Sequence, residues 1–226
     1  MNDQHKKNII IIGSAGHAAV IADILLLQHE YHLTGFIDSY KEKGSRCFKD
    51  LTVLGNEYDL PALISQHNIH GGIVGIGDNW TRYQVTTRIT GILPSFRFIN
   101  AIHPSSVISP NAILGTGNMI SANAVINTGS RIGNGCIINT AACIEHDNTM
   151  GDYASIAPNA VTGGNVHTGA FTAINIGAAI IHGITIGEHT VIGAGSLVLK
   201  DVSPYSIYYG SPAKWVAARN TGDKYL

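Results

Sequence analysis

The chain has 226 residues, of which 45% are hydrophobic and only 13% charged; it carries 26 glycines and a net charge of −1. That apolar content excludes a disordered chain, and low charge with abundant glycine points to regular β structure with tight turns rather than a helix bundle. The basic residues are scattered without a Lys/Arg run, so there is no electrostatic footprint for a nucleic acid.

Met1 to Lys7 is polar, and the apolar run Ile9 to Ile12 is too short for a signal-peptide core or a membrane span. Cys47, Cys136 and Cys143 show neither disulfide nor metal spacing and read as reduced thiols of a cytoplasmic protein. Asn8 to Ile12 is expected as a first strand, followed by Gly13-Ser14-Ala15-Gly16-His17 and an apolar helical pattern through Val20, Ile24 and Leu27. A second strand, Leu33 to Ile37, ends at Asp38; a helix over Leu60 to His67, a strand Gly72 to Ile76, a helix over Asn79 to Thr90 and a strand Arg97 to Asn100 follow. Strands alternating with helices predict a small parallel α/β sheet, a Rossmann-like domain over 1–102. Ligands of such sheets bind beyond the carboxyl ends of the strands.

Gly13-x-x-Gly16 falls between the first strand and the first helix, where backbone N–H groups and the helix dipole suit a phosphate. It is not the full dinucleotide fingerprint, and a tight βα turn without ligand fits the motif as well. Asp38 is placed to accept from a ribose or a base edge. His17, beside the first helical turn, is either a donor to a pyrophosphate or a capping or surface residue.

Beyond residue 108 the pattern changes. Stepping by six gives Ile108, Leu114, Ile120, Ile126, Ile132, Ile138, Ile144, Met150, Ile156, Thr162, Thr168, Ile174, Ile180, Ile186, Ile192 and Val198, and fourteen of these sixteen are large aliphatics. Small side chains stand two residues earlier, as at Ala124, Cys136, Ala142, Ala154 and Ala160. A period of six fits neither a helix nor a heptad, but it suits short strands separated by turns and marks a parallel β-helix, here expected to be left-handed. The predicted domains are 1–102, the β-helix over 103–202, and a C-terminal extension over 203–226 holding Gly210-Ser211-Pro212-Ala213-Lys214. The frame leaves no long loop between Ile108 and Val198, so an active site has to be made from the coils and a neighbouring subunit.

Three hexapeptides make one coil. His146 and His182 therefore share a column two coils, roughly 10 Å, apart, which is too far for one zinc ion. Gly164 stands between them, while His167 and His189 fall on other columns. No three-ligand arrangement is evident within one chain, although zinc hydratases built on this architecture share ligands across subunits. His146 is flanked by Glu145 and Asp147 and is expected on the outer wall. An imidazole beside a carboxylate is a general-base arrangement, and a bare glycine above it leaves an N–H open to a thioester oxygen. The competing reading is an exposed histidine in a salt-bridging patch.

The Gly-Ser-Ala-Gly-His start, the strand ending at Asp38, the unbroken hexapeptides, Ile144-Glu145-His146-Asp147 and Gly210-Ser211-Pro212-Ala213-Lys214 together resemble the bacterial sugar O/N-acyltransferases over nearly the whole chain. These include the bacillosamine-pathway N-acetyltransferases of UDP-linked 4-amino sugars and the related sialic acid O-acetyltransferases. The resemblance implies a homotrimer with active sites between neighbouring β-helices, acetyl-CoA as co-substrate, and no metal. It implies His146 as general base with Asp147 orienting it, Asn139 in the acceptor pocket, Gly164 on the thioester carbonyl, and Ile176 and Ala194 along the CoA arm. Gly13, Ser14, Gly16 and His17 would hold the nucleotide pyrophosphate, and Asp38 the base or ribose. Ser155 stands where a close relative has a histidine contacting CoA, and Asp147 shortens an arm that is Glu in the family pattern.

The resemblance points to N-acetylation of a nucleotide-linked amino-deoxy sugar, most simply a UDP-linked one. Alternatives are GDP- or dTDP-linked acceptors, a sugar or sialic acid O-acetyltransferase, and a nucleotide-sensing trimeric scaffold with an inert β-helix.

Overall fold

In the computed structural model the described residues are 6–225. Residues 1–5 of the polar stretch Met1 to Lys7 and residue 226 of the C-terminal extension lie outside them. The chain divides into two compact units: one runs to Gly77 and resumes over Thr81–Pro104, the other takes Asp78–Trp80 and everything from Ser105 onward.

The first unit contains β1 (Lys7–Ile12), α1 (Gly16–Gln28), β2 (Tyr31–Ile37), β3 (Arg46–Phe48), β4 (Leu51–Gly55), α2 (Leu60–His67), β5 (Ile69–Val74) and all but the first two residues of α3 (Asn79–Ile92). The sheet order is β3-β4-β2-β1-β5, parallel except for the β3–β4 hairpin. Four consecutive isoleucines, Ile9–Ile12, lie at most 2% exposed in β1, as a central parallel strand covered on both faces requires. Ile10, Ile12, Ile37, Leu60, Leu63, Val74, Val85 and Ile89 pack into one core on one side of the sheet.

Three sequence expectations shift here. Helix α1 buries Ala18, Ile21, Ala22, Ile24 and Leu25, whereas Val20 and Leu27 are 44% and 48% exposed. The segment is apolar on almost every side, so periodicity cannot choose its buried face. The expected strand Gly72–Ile76 lies earlier, at Ile69–Val74. The expected strand Arg97–Asn100 reduces to a single bridge between Gly72 and Phe98, and the β3–β4 hairpin carries no sequence signal strong enough to announce it.

The second unit is a parallel β-helix of sixteen two-residue strands, from Val107–Ile108 to Leu197–Val198, one every six residues. Away from the two ends, each strand pairs with those eighteen residues before and after. Val125–Ile126, for example, lies between Val107–Ile108 and Cys143–Ile144, and the ladder continues through Val161–Thr162 and Ala179–Ile180. The frame never slips, and the second residue of each strand points inward: Ile126, Ile144, Thr162, Ile180 and Val198 are all at most 3% exposed. Cys136 sits at a small-residue position, fully buried, with its Sγ 3.2 Å from the Gly151 carbonyl oxygen. Along one turn column the rings of Tyr153, Phe171, His189 and Tyr205 stack with centroids 5.6, 4.5 and 5.0 Å apart. The strands Ser206–Tyr209 and Lys214–Ala218 close the unit as an antiparallel hairpin. The turn of that hairpin, Gly210-Ser211-Pro212-Ala213, docks on the last coil through Leu197 N–H to Gly210 O (3.0 Å) and Ala213 N–H to Leu197 O (2.7 Å). Among the described residues no helix is long and apolar enough to cross a membrane.

Candidate active site

After the strand Cys143–Ile144 the chain turns through Glu145, His146, Asp147 and Asn148 into Thr149–Met150. Asn148 is 2% exposed, and its side-chain amide donates to the carbonyls of Glu145 (2.8 Å), His146 (3.2 Å) and Gly163 (2.8 Å). This buried clamp satisfies the turn's carbonyls from inside and throws the neighbouring side chains outward: those of His146 and Asp147 are 58% and 64% exposed. His146 Nδ1 lies 2.8 Å from Asp147 Oδ2. A carboxylate accepting from Nδ1–H leaves the Nε2 lone pair free to take a proton.

Both partners sit against glycines one coil away. Asp147 adopts a positive φ of 59°, its N–H bonds to Thr128 O at 2.9 Å, and its carboxylate fills the space of a side chain at Gly129, where an added Cβ would lie 2.3 Å from Oδ1. On the other side a Cβ at Gly164 would lie 2.5 Å from both Cε1 and Nε2 of His146. Asn165 N–H to His146 O (2.9 Å) and Gly183 N–H to Gly164 O (2.9 Å) confirm the column His146, Gly164, His182. Glu145, the other acidic neighbour, turns away: it accepts from Asn127 Nδ2 at 2.9 Å and meets Cys143 Sγ at 3.8 Å. Burial, reinforced by Glu145, pushes the Cys143 thiol up from its ordinary range, so it is held as a thiol and makes a poor nucleophile.

The remaining β-helix positions lie on another edge. Asn139 follows the strand Ile137–Ile138, and its Oδ1 accepts from Thr140 N–H at 3.1 Å. Ser155 begins the next strand of that series, with Oγ 3.5 Å from the Tyr225 hydroxyl. Ile176 and Ala194 stack in one exposed column, with Gly195 N–H bonded to Ile176 O at 2.8 Å, and Ile176 is 59% exposed. Asn139, Ile176 and Ala194 thus share the turn that precedes the His146 strand series, whereas His146 and Gly164 share the turn that follows it. Within one chain the expected residues occupy two different edges of the coil. Among the described residues no three His, Cys, Asp or Glu side chains gather as a metal site.

In the first unit a cavity of about 310 Å³ opens beyond the carboxyl ends of β1, β2, β4 and β5, lined by Gly13, Ser14, His17, Asp38, Glu57 and Arg88 among others. Gly13 has a φ of +98° and donates to Ile37 O at 2.8 Å; only glycine turns there without strain. Nothing lies within 4 Å of a Cβ added at Gly16, the first residue of α1, and no side chain caps that helix. Its first N–H groups therefore have no side-chain acceptor and face open space.

Ser14 and Asp38 are tied to each other, Ser14 Oγ donating to Asp38 Oδ2 at 2.6 Å. Asp38 Oδ1 accepts the N–H groups of Tyr40 (2.8 Å) and Lys41 (3.2 Å). Burial works to raise the Asp38 carboxyl, but these hydrogen bonds and the Lys41 charge together hold it below its ordinary value. Lys41 Nζ donates to Ser14 O at 2.8 Å, which brings a cation to the loop. His17 is held neutral, lowered to about 4 by burial and then by the nearby Arg82 charge, and its Nε2 is buried without a partner. Sequence reasoning missed Lys41, Glu57, Arg88 and Gly129. Glu57 and Arg88 are ion-paired at 2.7 Å across 31 positions of sequence that no short motif spans.

A parallel β-helix of hexapeptide coils with an outward imidazole–carboxylate pair defines a hexapeptide-repeat transferase. The family described as the PglD N-terminal domain matches residues 8–89. PerB from Caulobacter crescentus, solved with CoA and GDP-perosamine, is similar at 33% identity and a TM-score of 0.85, over 93% of this chain and 97% of that one. The acetyltransferase domain of PglB from Neisseria gonorrhoeae, solved with acetyl coenzyme A, is similar at 29% identity and a TM-score of 0.83, over 93% of this chain and 100% of that one. UDP-N-acetylbacillosamine N-acetyltransferase of Bacillus subtilis (strain 168) is 33% identical over 116 residues, half of this chain and half of that relative's length. The chain belongs to the sugar N-acetyltransferase family.

Proposed function

We propose that the protein transfers the acetyl group of acetyl-CoA to the 4-amino group of a nucleotide-linked amino-deoxy sugar. The observation that carries this reading is the His146–Asp147 pair at 2.8 Å with a bare glycine against its Nε2 edge. In the first unit, an uncapped helix start and a glycine turn line a cavity suited to a diphosphate. The ligands of the relatives, CoA with GDP-perosamine in one and acetyl coenzyme A in another, support the same pairing of substrates.

The amine nitrogen attacks the thioester carbonyl carbon, forming the C–N bond, while His146 Nε2 accepts the proton that the amine sheds. The oxyanion is stabilised by the Gly164 N–H. The C–S bond then breaks, and the CoA thiolate takes the proton back from the imidazolium. Orientation and oxyanion stabilisation carry most of the rate, with the general base contributing about 10²–10⁴-fold. No covalent enzyme intermediate is needed.

The placement of Asn139, Ile176 and Ala194 on one coil edge and of His146 and Gly164 on another supports a homotrimer in which neighbouring chains complete each site. In the proposed division of labour, 1–102 holds the nucleotide, 103–202 performs the transfer and 203–226 closes the β-helix. The three free cysteines support a reducing, cytoplasmic setting.

The test is an acyl-transfer assay with acetyl-CoA across UDP-, GDP- and dTDP-linked 4-amino sugars, reading CoA thiol release and N-acetylated product. Turnover of at least one amino sugar is expected. Acetylation of hydroxyl acceptors alone would overturn the amine assignment, and no transfer to any acceptor would overturn the activity.

A further inference from the structure

Glu57 and Arg88 form an unusual wall for a cavity. Glu57 lies just past the end of β4 and is 5% exposed. Its Oε2 receives Arg88 Nη1 at 2.7 Å, and Arg88 comes from α3 with its side chain 46% exposed. Both residues line the cavity. Glu57 Oε1 meets no donor among the described residues, yet it is not sealed away with the buried unpartnered atoms. The remaining Arg88 N–H groups likewise meet no acceptor among the described residues. Burying a carboxylate is costly, and a pair serving only to tie two elements together has no reason to leave an acceptor and a donor side by side on a cavity wall.

The position in the cavity matters as much as the chemistry. The phosphate-suited loop, Gly13 to His17, follows β1, and Glu57 follows β4, two strands away in the sheet order, about 10 Å along the carboxyl edge. Along α3, Thr81 and Arg88 both line the cavity and are seven residues, about 10 Å, apart. That span matches a nucleotide running from its phosphates to the far edge of its base. The fully exposed Tyr40 also lines the cavity, and its ring offers a surface on which a base can stack.

We propose that Glu57 and Arg88 are the specificity-determining pair that reads the base of the nucleotide handle, Oε1 accepting a ring N–H and the guanidinium donating to the carbonyl beside it. An N–H next to a carbonyl is the edge of uracil, thymine and guanine. Cytosine and adenine present the reverse, an acceptor nitrogen next to an amino group. Asp38, whose two oxygens already take three donors, Ser14 Oγ and the N–H groups of Tyr40 and Lys41, shapes the site instead of reading the base. The inference rests on the nucleotide-sugar reading above.

The experiment is calorimetric titration of the full-length protein with UDP, dTDP, GDP, CDP and ADP, which share one diphosphate. The wild type is expected to bind UDP over CDP and GDP over ADP by about ten-fold or more, because a site built for one hydrogen-bond pattern leaves buried groups unpaired against its reverse. In Glu57→Gln, Arg88 holds the amide carbonyl and turns the NH₂ toward the base, so UDP and GDP weaken about ten-fold while CDP and ADP hold or tighten. Arg88→Gln, at a half-exposed position, gives the same loss for UDP and GDP and decides the matter if Glu57→Gln does not melt cooperatively. Equal affinity within each pair in the wild type, or variants that keep the preference, overturns the base-reading assignment while leaving the nucleotide handle intact. Failure of all five to bind overturns the handle and this assignment together.

Discussion

Gly164 stands one coil above His146, so close that a single methyl group placed on it would press against the Nε2 edge of the imidazole at 2.5 Å. The glycine is needed here for space rather than for backbone freedom, since its φ is not in the left-handed region. Gly164→Ala is therefore expected to fold normally and to displace the ring. A displacement of about 1 Å costs up to about 10²-fold in rate. Steady-state kinetics beside a thermal melt check this, and wild-type kcat in a stably folded Gly164→Ala protein would remove His146 Nε2 from the reaction.

His146→Ala should lower kcat by about 10²–10⁴-fold while acetyl-CoA and the sugar nucleotide still bind, because the side chain is an exposed group with no structural bond beyond Asp147. Asp147→Asn removes the charge that stabilises the imidazolium and can turn an amide N–H toward Nδ1, which favours the wrong tautomer; a smaller loss is expected at this exposed pair, again in kcat rather than in KM. Calorimetry with each ligand separates binding from turnover. Retained activity in His146→Ala ends the general-base assignment.

Thr162 occupies an inward position that is Ile144 one coil below and Ile180 one coil above. Its Oγ1 is buried without a hydrogen-bond partner, an unsatisfied group of the kind that costs stability. Thr162→Val replaces that hydroxyl with a methyl of nearly the same shape. It is expected to stabilise by about 1 kcal/mol, a rise in Tm of about 2–4 °C. An unchanged or lower Tm would mean that the hydroxyl is satisfied in solution.

The folded protein binds a proton at His17 only near pH 4, because burial and then the Arg82 charge disfavour the cation, whereas an unfolded histidine does so near 6.5. Between those values the unfolded chain carries the extra proton. Stability contributed by the neutral ring is thus intact above 6.5 and is lost as pH falls toward 4, by roughly 3 kcal/mol in total. His189, lowered mainly by burial in its aromatic stack, works in the same direction. Denaturant unfolding at pH 7, 5.5 and 4.5 should show a decline that is shallower in His17→Gln, and parallel curves for the two proteins would contradict it.

How much of this was readable in the residues depended on whether a register connected them. Strand pairing at a fixed step of eighteen carries any position to its neighbours above and below, so the inward isoleucines, the burial of Cys136 and the column His146–Gly164 all follow from counting. Gly129 beneath Asp147 was within reach of the same arithmetic, one coil down. The first unit has no such ruler. Glu57 and Arg88 meet because the segment after β4 and helix α3 both border the cavity beyond the strands' carboxyl ends, and the face of α1 was hidden by apolar residues on almost every side. Asp38 was found at the right strand end, but its bonds to Ser14, Tyr40 and Lys41 depend on a loop conformation that residue types alone do not specify.

The two-edge arrangement gives the proposed trimer a test that activity alone cannot. His146→Ala removes the proposed base from one edge, and Ile176→Glu puts a charge on the proposed donor-lining column of the other, at a side chain already 59% exposed. Each variant alone is expected to be nearly inactive. If each site takes His146 from one chain and Ile176 from its neighbour, unfolding and refolding the two variants together at equal ratio leaves about one interface in four with both intact edges, as random closed assembly of three chains requires. Activity should then recover to about a quarter of wild type, while variants mixed without unfolding stay inactive. Size-exclusion chromatography with light scattering must show trimers in each preparation. Absence of recovery in verified mixed trimers would place both edges of a working site within one chain.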